Sequence, residues 1–85
     1  MSRALPPQRV VVIQADDEPV SVVFEMLGET VELPPWGELR LVLRGPETAE
    51  LRVGYGVGGL SVFRDAALEV EVRDNEGRRI DVGLF

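Results

Sequence analysis

The side chains here that could do chemistry are almost all carboxylates. The chain carries 15 Asp plus Glu against 9 basic residues, all of them arginine, and it has no histidine, cysteine or lysine. That removes the usual general base, the thiolate nucleophile, Schiff-base chemistry and nearly every transition-metal ligand set. Catalysis is left with paired carboxylates, and glycosidase-like chemistry needs two carboxyls facing each other roughly 5–10 Å apart. Glu69 with Glu71, or Glu71 with Asp81, would meet that spacing on the wet face of a sheet. Acids scattered over any acidic sheet would meet it too. The expectation is a protein that is not an enzyme and carries no cofactor and no metal.

Other motifs lose their chemistry once their neighbours are read. Gly54-Tyr55-Gly56-Val57-Gly58-Gly59 matches the glycine spacing of dinucleotide-binding turns letter for letter. That turn must lead into a helix whose N-terminus holds the pyrophosphate. Here Leu60-Ser61-Val62-Phe63 follows, which is strand sequence, and the run reads as a glycine-rich hairpin turn. Asp16-Asp17-Glu18 offers oxygens to a hard cation, but the alternating ligands, glycine and distal glutamate of a calcium loop are missing. Pro35-Trp36-Gly37, seven residues after Gly28, is similar to the second glycine–proline–glycine motif of cupin barrels. The likeness spans about ten residues, lacks the histidine that would bind metal, and implies at most a jelly-roll-like hairpin. Trp36 and Tyr55 are left as aromatic candidates for a ligand loop, Trp36 because two prolines hold it rigidly.

The elements that must position these residues are written in a period-two alternation. Leu39, Leu41 and Leu43 interleave with Glu38, Arg40 and Arg44, and Leu68, Val70 and Val72 interleave with Glu69, Glu71 and Arg73. Successive strand side chains point to opposite faces, so this spells antiparallel strands with one dry face and one wet face. Strands are expected at about 9–14, 31–33, 38–44, 50–55, 60–64, 67–73 and 78–84, joined by turns rich in Gly, Pro, Asn and Asp. Residues 20–27 are ambiguous: three valines favour a strand, while Asp17, Pro19 and Gly28 would cap a helix. The expected fold is all-β, a small antiparallel β-sandwich or partly open β-barrel of about seven to eight strands in a largely meander order. The alternative is an α+β domain with a single helix at about 18–27.

Two registers follow from the turns. Asp74-Asn75-Glu76-Gly77 suits a type I turn closed by a left-handed glycine, which sets Val72 opposite Ile80 and Arg73 opposite Arg79. The unfavourable Arg73–Arg79 pair is offset by the Glu71–Arg79 diagonal. A hairpin through 45–49 would set Leu43 opposite Leu51 and Arg44 opposite Glu50. Carried on across a loop at 56–59, it lines up Val42, Arg52 and Phe63 in one row on the charged face. Arginine beside an aromatic and a valine is a composition favoured at binding surfaces.

Eighty-five residues make one domain, 9–85 after an arm at 1–8, and a chain of this size buries only about 60–65% of its unfolded surface. A formal charge of −6, with both signs mixed along every strand, argues against nucleic acid and anionic membrane as partners. No apolar run approaches the roughly 20 residues of a membrane span, and a cytoplasmic location is expected. The expected function is a non-enzymatic protein-interaction or accessory module, with inhibitor- or immunity-like roles among its forms. Its partner would be another protein or a second copy of the chain. The alternative is a barrel that binds a sugar or an apolar molecule near Trp36 and Tyr55. The apolar end, Leu84 and Phe85, is expected to be buried in the fold or at a dimer contact.

Overall fold

The chain alternates between two four-stranded sheets, leaving one for the other at each long loop. The structure is a computed structural model and describes residues 8–26, 29–83 and 85. Sheet A takes β1 (Gln8–Gln14), β4 (Glu38–Arg44), β7 (Glu69–Asp74) and β8 (Arg79–Ile80), in the order β1-β4-β7-β8. Sheet B takes β2 (Val20–Phe24), β3 (Glu29–Leu33), β5 (Leu51–Gly56) and β6 (Gly59–Arg64), in the order β3-β2-β6-β5. The small β-sandwich is therefore as expected, and the described residues include no helix. The expected arm lies outside the described residues except for Gln8, which opens β1.

The meander is corrected. The chain runs from β1 to the β2–β3 hairpin, back to β4, out to the β5–β6 hairpin, and back to β7–β8. Prolines mark three of the four crossings, at Pro19, at Pro34-Pro35 and at Pro46, since a residue without an N–H cannot continue a ladder. The expected β4–β5 pairing does not form, because β4 lies between β1 and β7. The 45–50 segment bridges the sheets, with Ala49 buried and its carbonyl accepting Arg9 Nη2 at 2.9 Å. Arg44 meets Glu71 at 3.6 Å instead of Glu50. Expecting antiparallel neighbours throughout also fails at one place, where β2 and β6 run parallel. β1 and β4 are antiparallel, so the two excursions enter sheet B from opposite ends. The first strand of one and the second strand of the other must then point the same way.

Segment 20–27 resolves as strand from Val20 to Phe24, and Leu27 and Gly28 lie outside the described residues. Phe24 and Val22 point into the sandwich and are fully buried, against Leu39, Leu41 and Val72 from sheet A and Val62 from β6. No polar side chain among the described residues is buried with them. The β7–β8 register is the expected one, Val72 opposite Ile80 and Arg73 opposite Arg79, with Gly77 at φ +83°. The last strand is far shorter than the expected 78–84. Val82 still enters the core, and Phe85 packs edge-on to Phe24 with ring centroids 4.9 Å apart. Leu84 lies outside the described residues.

Candidate functional site

The expected row of Val42, Arg52 and Phe63 is split between the sheets. Arg52 and Phe63 do stand opposite each other on the outer face of sheet B, and a two-residue turn, Val57-Gly58, makes that register. Val42 belongs to the outer face of sheet A, between Val10 and Glu71, and is only 9% exposed. The hairpin that should have joined the two groups is a crossing. Arg52 and Phe63 remain a pair at the lip of a shallow cleft with Glu50, Arg64 and Asp65.

Trp36 and Tyr55 come to the same end of the sandwich but not into one pocket. Pro34-Pro35-Trp36-Gly37 is a tight turn in which Gly37 N–H donates to the Pro34 carbonyl at 2.8 Å. Trp36 occupies the position that needs a left-handed backbone, at φ +63°, which costs a non-glycine residue on the order of 1–2 kcal/mol. Its N–H donates to the Asp16 carbonyl at 2.8 Å, which ties the turn to the acidic loop, and its indole is 64% exposed. Tyr55 is on the core-facing side of β5, opposite Leu60, yet 90% exposed. With the glycine hairpin it lines a cleft of about 550 Å³ whose far wall is Asp16, Asp17 and Glu18. Of the hairpin glycines, Gly59 is the one the fold requires. Its φ is +111°, and a Cβ there would run into the carbonyl of Ser21, whereas Gly56 and Gly58 face open space.

The candidate carboxylate pair is drawn into an ion cluster. Glu71 accepts two hydrogen bonds from Arg73, at 3.1 and 3.2 Å, and has Arg44 and Arg79 within 3.6 and 3.8 Å. The last of these is the expected diagonal. Burial presses the Glu71 pKa upward, but the Arg73 hydrogen bond and the three arginine charges outweigh it and hold the carboxyl below its ordinary value. A group so held is ionised at neutral pH and poorly suited to donate a proton. Asp81 turns away to accept from Gly83 N–H at 2.9 Å. Asp74 is also held below its ordinary value. The Arg78 N–H does most of this, burial opposes it, and the Glu76 N–H and the Arg78 charge add to the lowering. Among the described residues no group of three His, Cys, Asp or Glu is gathered to hold a metal ion.

What the sequence reading missed is the edge where β1 and β5 end the two sheets. They are stacked over each other. Arg9, near the start of β1, bonds to the residue range that leads into β5, and Gln14, at its end, shares the cleft with Tyr55 and Val57. Val10 and Val12 on the outer face of β1 are 51% and 47% exposed, and Val53 and Tyr55 on the core-facing side of β5, with Val57 in its turn, are exposed as well. Among the described residues each strand pairs on one side only, β1 with β4 and β5 with β6. The nearest signal in the sequence is the uncharged run from Val10 to Ala15.

Comparison with family models, with curated proteins and with solved structures gives no match. No helix among the described residues is long and apolar enough to cross a membrane.

Proposed function

We propose that this chain is a non-enzymatic protein-interaction module that docks on a protein partner through the open β1–β5 edge. The observation that carries this reading is that both strands of this edge expose apolar side chains, Val10 and Val12 on the outer face of β1 and Val53 and Tyr55 on the core-facing side of β5, and that among the described residues each strand has a free hydrogen-bonding edge. Exposed apolar side chains with polar residues around them are what interaction sites present. Unpaired strand edges add a row of donors and acceptors that an extended partner segment satisfies. The acidic loop at residues 16–18 borders the same edge and would favour a partner with basic residues there. An accessory role of the inhibitor or immunity type, and a cytoplasmic location, belong to the same proposal.

The test uses the full chain as bait against lysate of its own source, in three forms. A protein held by wild type should be lost from Val53→Asp/Tyr55→Ser and kept by Arg79→Gln on the opposite side of sheet A. Equal capture by all three would overturn the reading. A small ligand in the cleft beneath Tyr55 is the second reading, favoured by that side chain's exposure over an open cleft of about 550 Å³. A tyrosine or tryptophan fluorescence shift with a sugar or hydrocarbon panel, abolished in Tyr55→Ser, would support it.

A further inference from the structure

The sandwich has four edge strands, and three of them are guarded. β8 is two residues long. β3 carries Glu29 and Glu32, whose like charges repel an approaching acidic chain. β5 carries Arg52 and is interrupted by Gly54 and Gly56, which weaken any added ladder. These are the ordinary devices against casual strand pairing. Among the described residues β1 has none of them. It is seven residues long, pairs only with β4, and its single charge, Arg9, is turned away to the carbonyls of Ala49 and Pro46.

We infer that the occupant of this edge is a second copy of the chain, with β1 pairing antiparallel to β1 about a two-fold axis through Val11. The inference rests on the edge-docking reading and assigns the β1 part of that edge to a second copy, leaving the exposed side chains of β5 to the protein partner. Two observations select a second copy. First, the strand reads Gln-Arg-Val-Val-Val-Ile-Gln, an order close to its own reverse. Centring on Val11 sets Gln8 opposite Gln14 of the second copy, Val10 opposite its Val12, and Val11 opposite itself. Amide then meets amide and valine meets valine on the outer face, and the cross-strand pairs that stabilise a sheet are all compatible there. Only the inward Arg9–Ile13 pair is mixed, and Arg9 already donates through Nη2 to the carbonyls of Ala49 and Pro46. Second, the chain carries a formal charge of −6, so two copies meet cheaply only where neither brings carboxylates. β1 from Val10 to Ile13 is such a place, and the acidic loop begins beyond Gln14.

The product is one continuous eight-stranded sheet in the order β8-β7-β4-β1-β1-β4-β7-β8. On its outer face Val42, already beside Val10, would extend the apolar row from one copy into the next. Closed two-fold pairing also removes both free β1 edges, so assembly stops at two.

Sedimentation velocity over a concentration series of the full chain tests this. Wild type should show a concentration-dependent dimer. Val10→Lys/Val12→Lys, at positions half-exposed in the monomer, should raise the dissociation constant by at least about tenfold through like charges set across the axis. Val53→Asp/Tyr55→Ser should leave the dimer intact, which separates failure of this inference from failure of the edge reading. A dimer unaffected by the lysines, or a wild-type monomer up to about 200 µM, far above ordinary specific affinities, would overturn the self-pairing. Should the double lysine variant unfold, hydrogen exchange of wild type decides instead. In a dimer every β1 amide from Arg9 to Ile13 is protected at high concentration. In a monomer alternate ones exchange at all concentrations.

Discussion

The two edges of the sandwich both carry apolar side chains and end in opposite states. On one side β8 is short, but the chain continues past it and closes the gap. Val82 enters the core, Phe85 packs on Phe24, and Arg64 fixes the end by donating to the main-chain oxygen of Phe85 at 2.7 Å. Arg64 also lies 5.6 Å from the centre of the Phe85 ring, a cation–π distance. Ionised carboxylates finish the closure. Asp74 accepts from the Glu76 and Arg78 N–H groups at 2.9 Å each, and Glu71 gathers Arg44, Arg73 and Arg79. On the other side β1 and β5 expose valines and a tyrosine, and no other described segment is laid over them. The difference teaches that apolar content does not distinguish a sealed edge from a docking edge. What distinguishes them is whether the chain supplies its own cover.

If that contrast is right, truncations of similar size should cost much on the sealed side and little on the open one. The largest loss is expected for Phe24→Ala, fully buried beneath Phe85, at about 3–5 kcal/mol by urea denaturation. Gly59→Ala tests the hairpin that carries the open edge. A forced φ and a collision with the Ser21 backbone should cost about 2–4 kcal/mol, while Gly58→Ala should be near neutral. Phe85→Ala, half-buried, should cost about 2 kcal/mol and raise the exchange of β8 amides. Smallest of all, Tyr55→Ser and Val12→Lys should move the stability of the monomer by no more than about 0.5 kcal/mol. A large loss there would mean the open edge is part of the fold.

Acid sharpens the comparison differently. The carboxyls of Glu71 and Asp74 are both lowered in the folded state, so the stability they contribute is present above the unfolded-state pKa and is lost as pH falls through the folded one. The thermal midpoint should therefore drop from about pH 5 downward, with β7–β8 exchanging first while β1 and β4 stay protected. Asp74→Asn and Glu71→Gln should each flatten that slope. An unchanged slope in both would show that the ion cluster does not hold the closed edge.

Legibility divides along the same physical line. The Asp74–Gly77 turn could be read because everything that fixes its register lies within a few residues: the Asp74 acceptor, the left-handed Gly77, and the alternation on either side. The Arg52–Phe63 pair could be read for the same reason. The Val42 row failed because alternation states which way a side chain faces but not which strand stands beside it. Leu41 is equally satisfied by Val53, by Val11 or by Val72, and only the last two are its partners. Trp36 and Tyr55 share one end, yet only Tyr55 lines the cleft with the acidic loop, which depends on which strands stand side by side. The open edge had no reading at all, since an unpaired strand and a paired one share the same sequence pattern.

By itself, the order of residues determined the strand class, the one-sided wetting of each strand, the tight turns and the absence of histidine, cysteine and lysine. These are local properties, set by side-chain size, backbone freedom and a period of two. Tertiary structure alone decided that four loops cross between sheets, that β2 and β6 run parallel, that Glu71 is shared by three arginines, and that among the described strands β1 pairs on one side only. Each of those is a choice among partners far apart in the chain. Such choices are made by burying the most apolar surface at once, and no short stretch of sequence can weigh that sum.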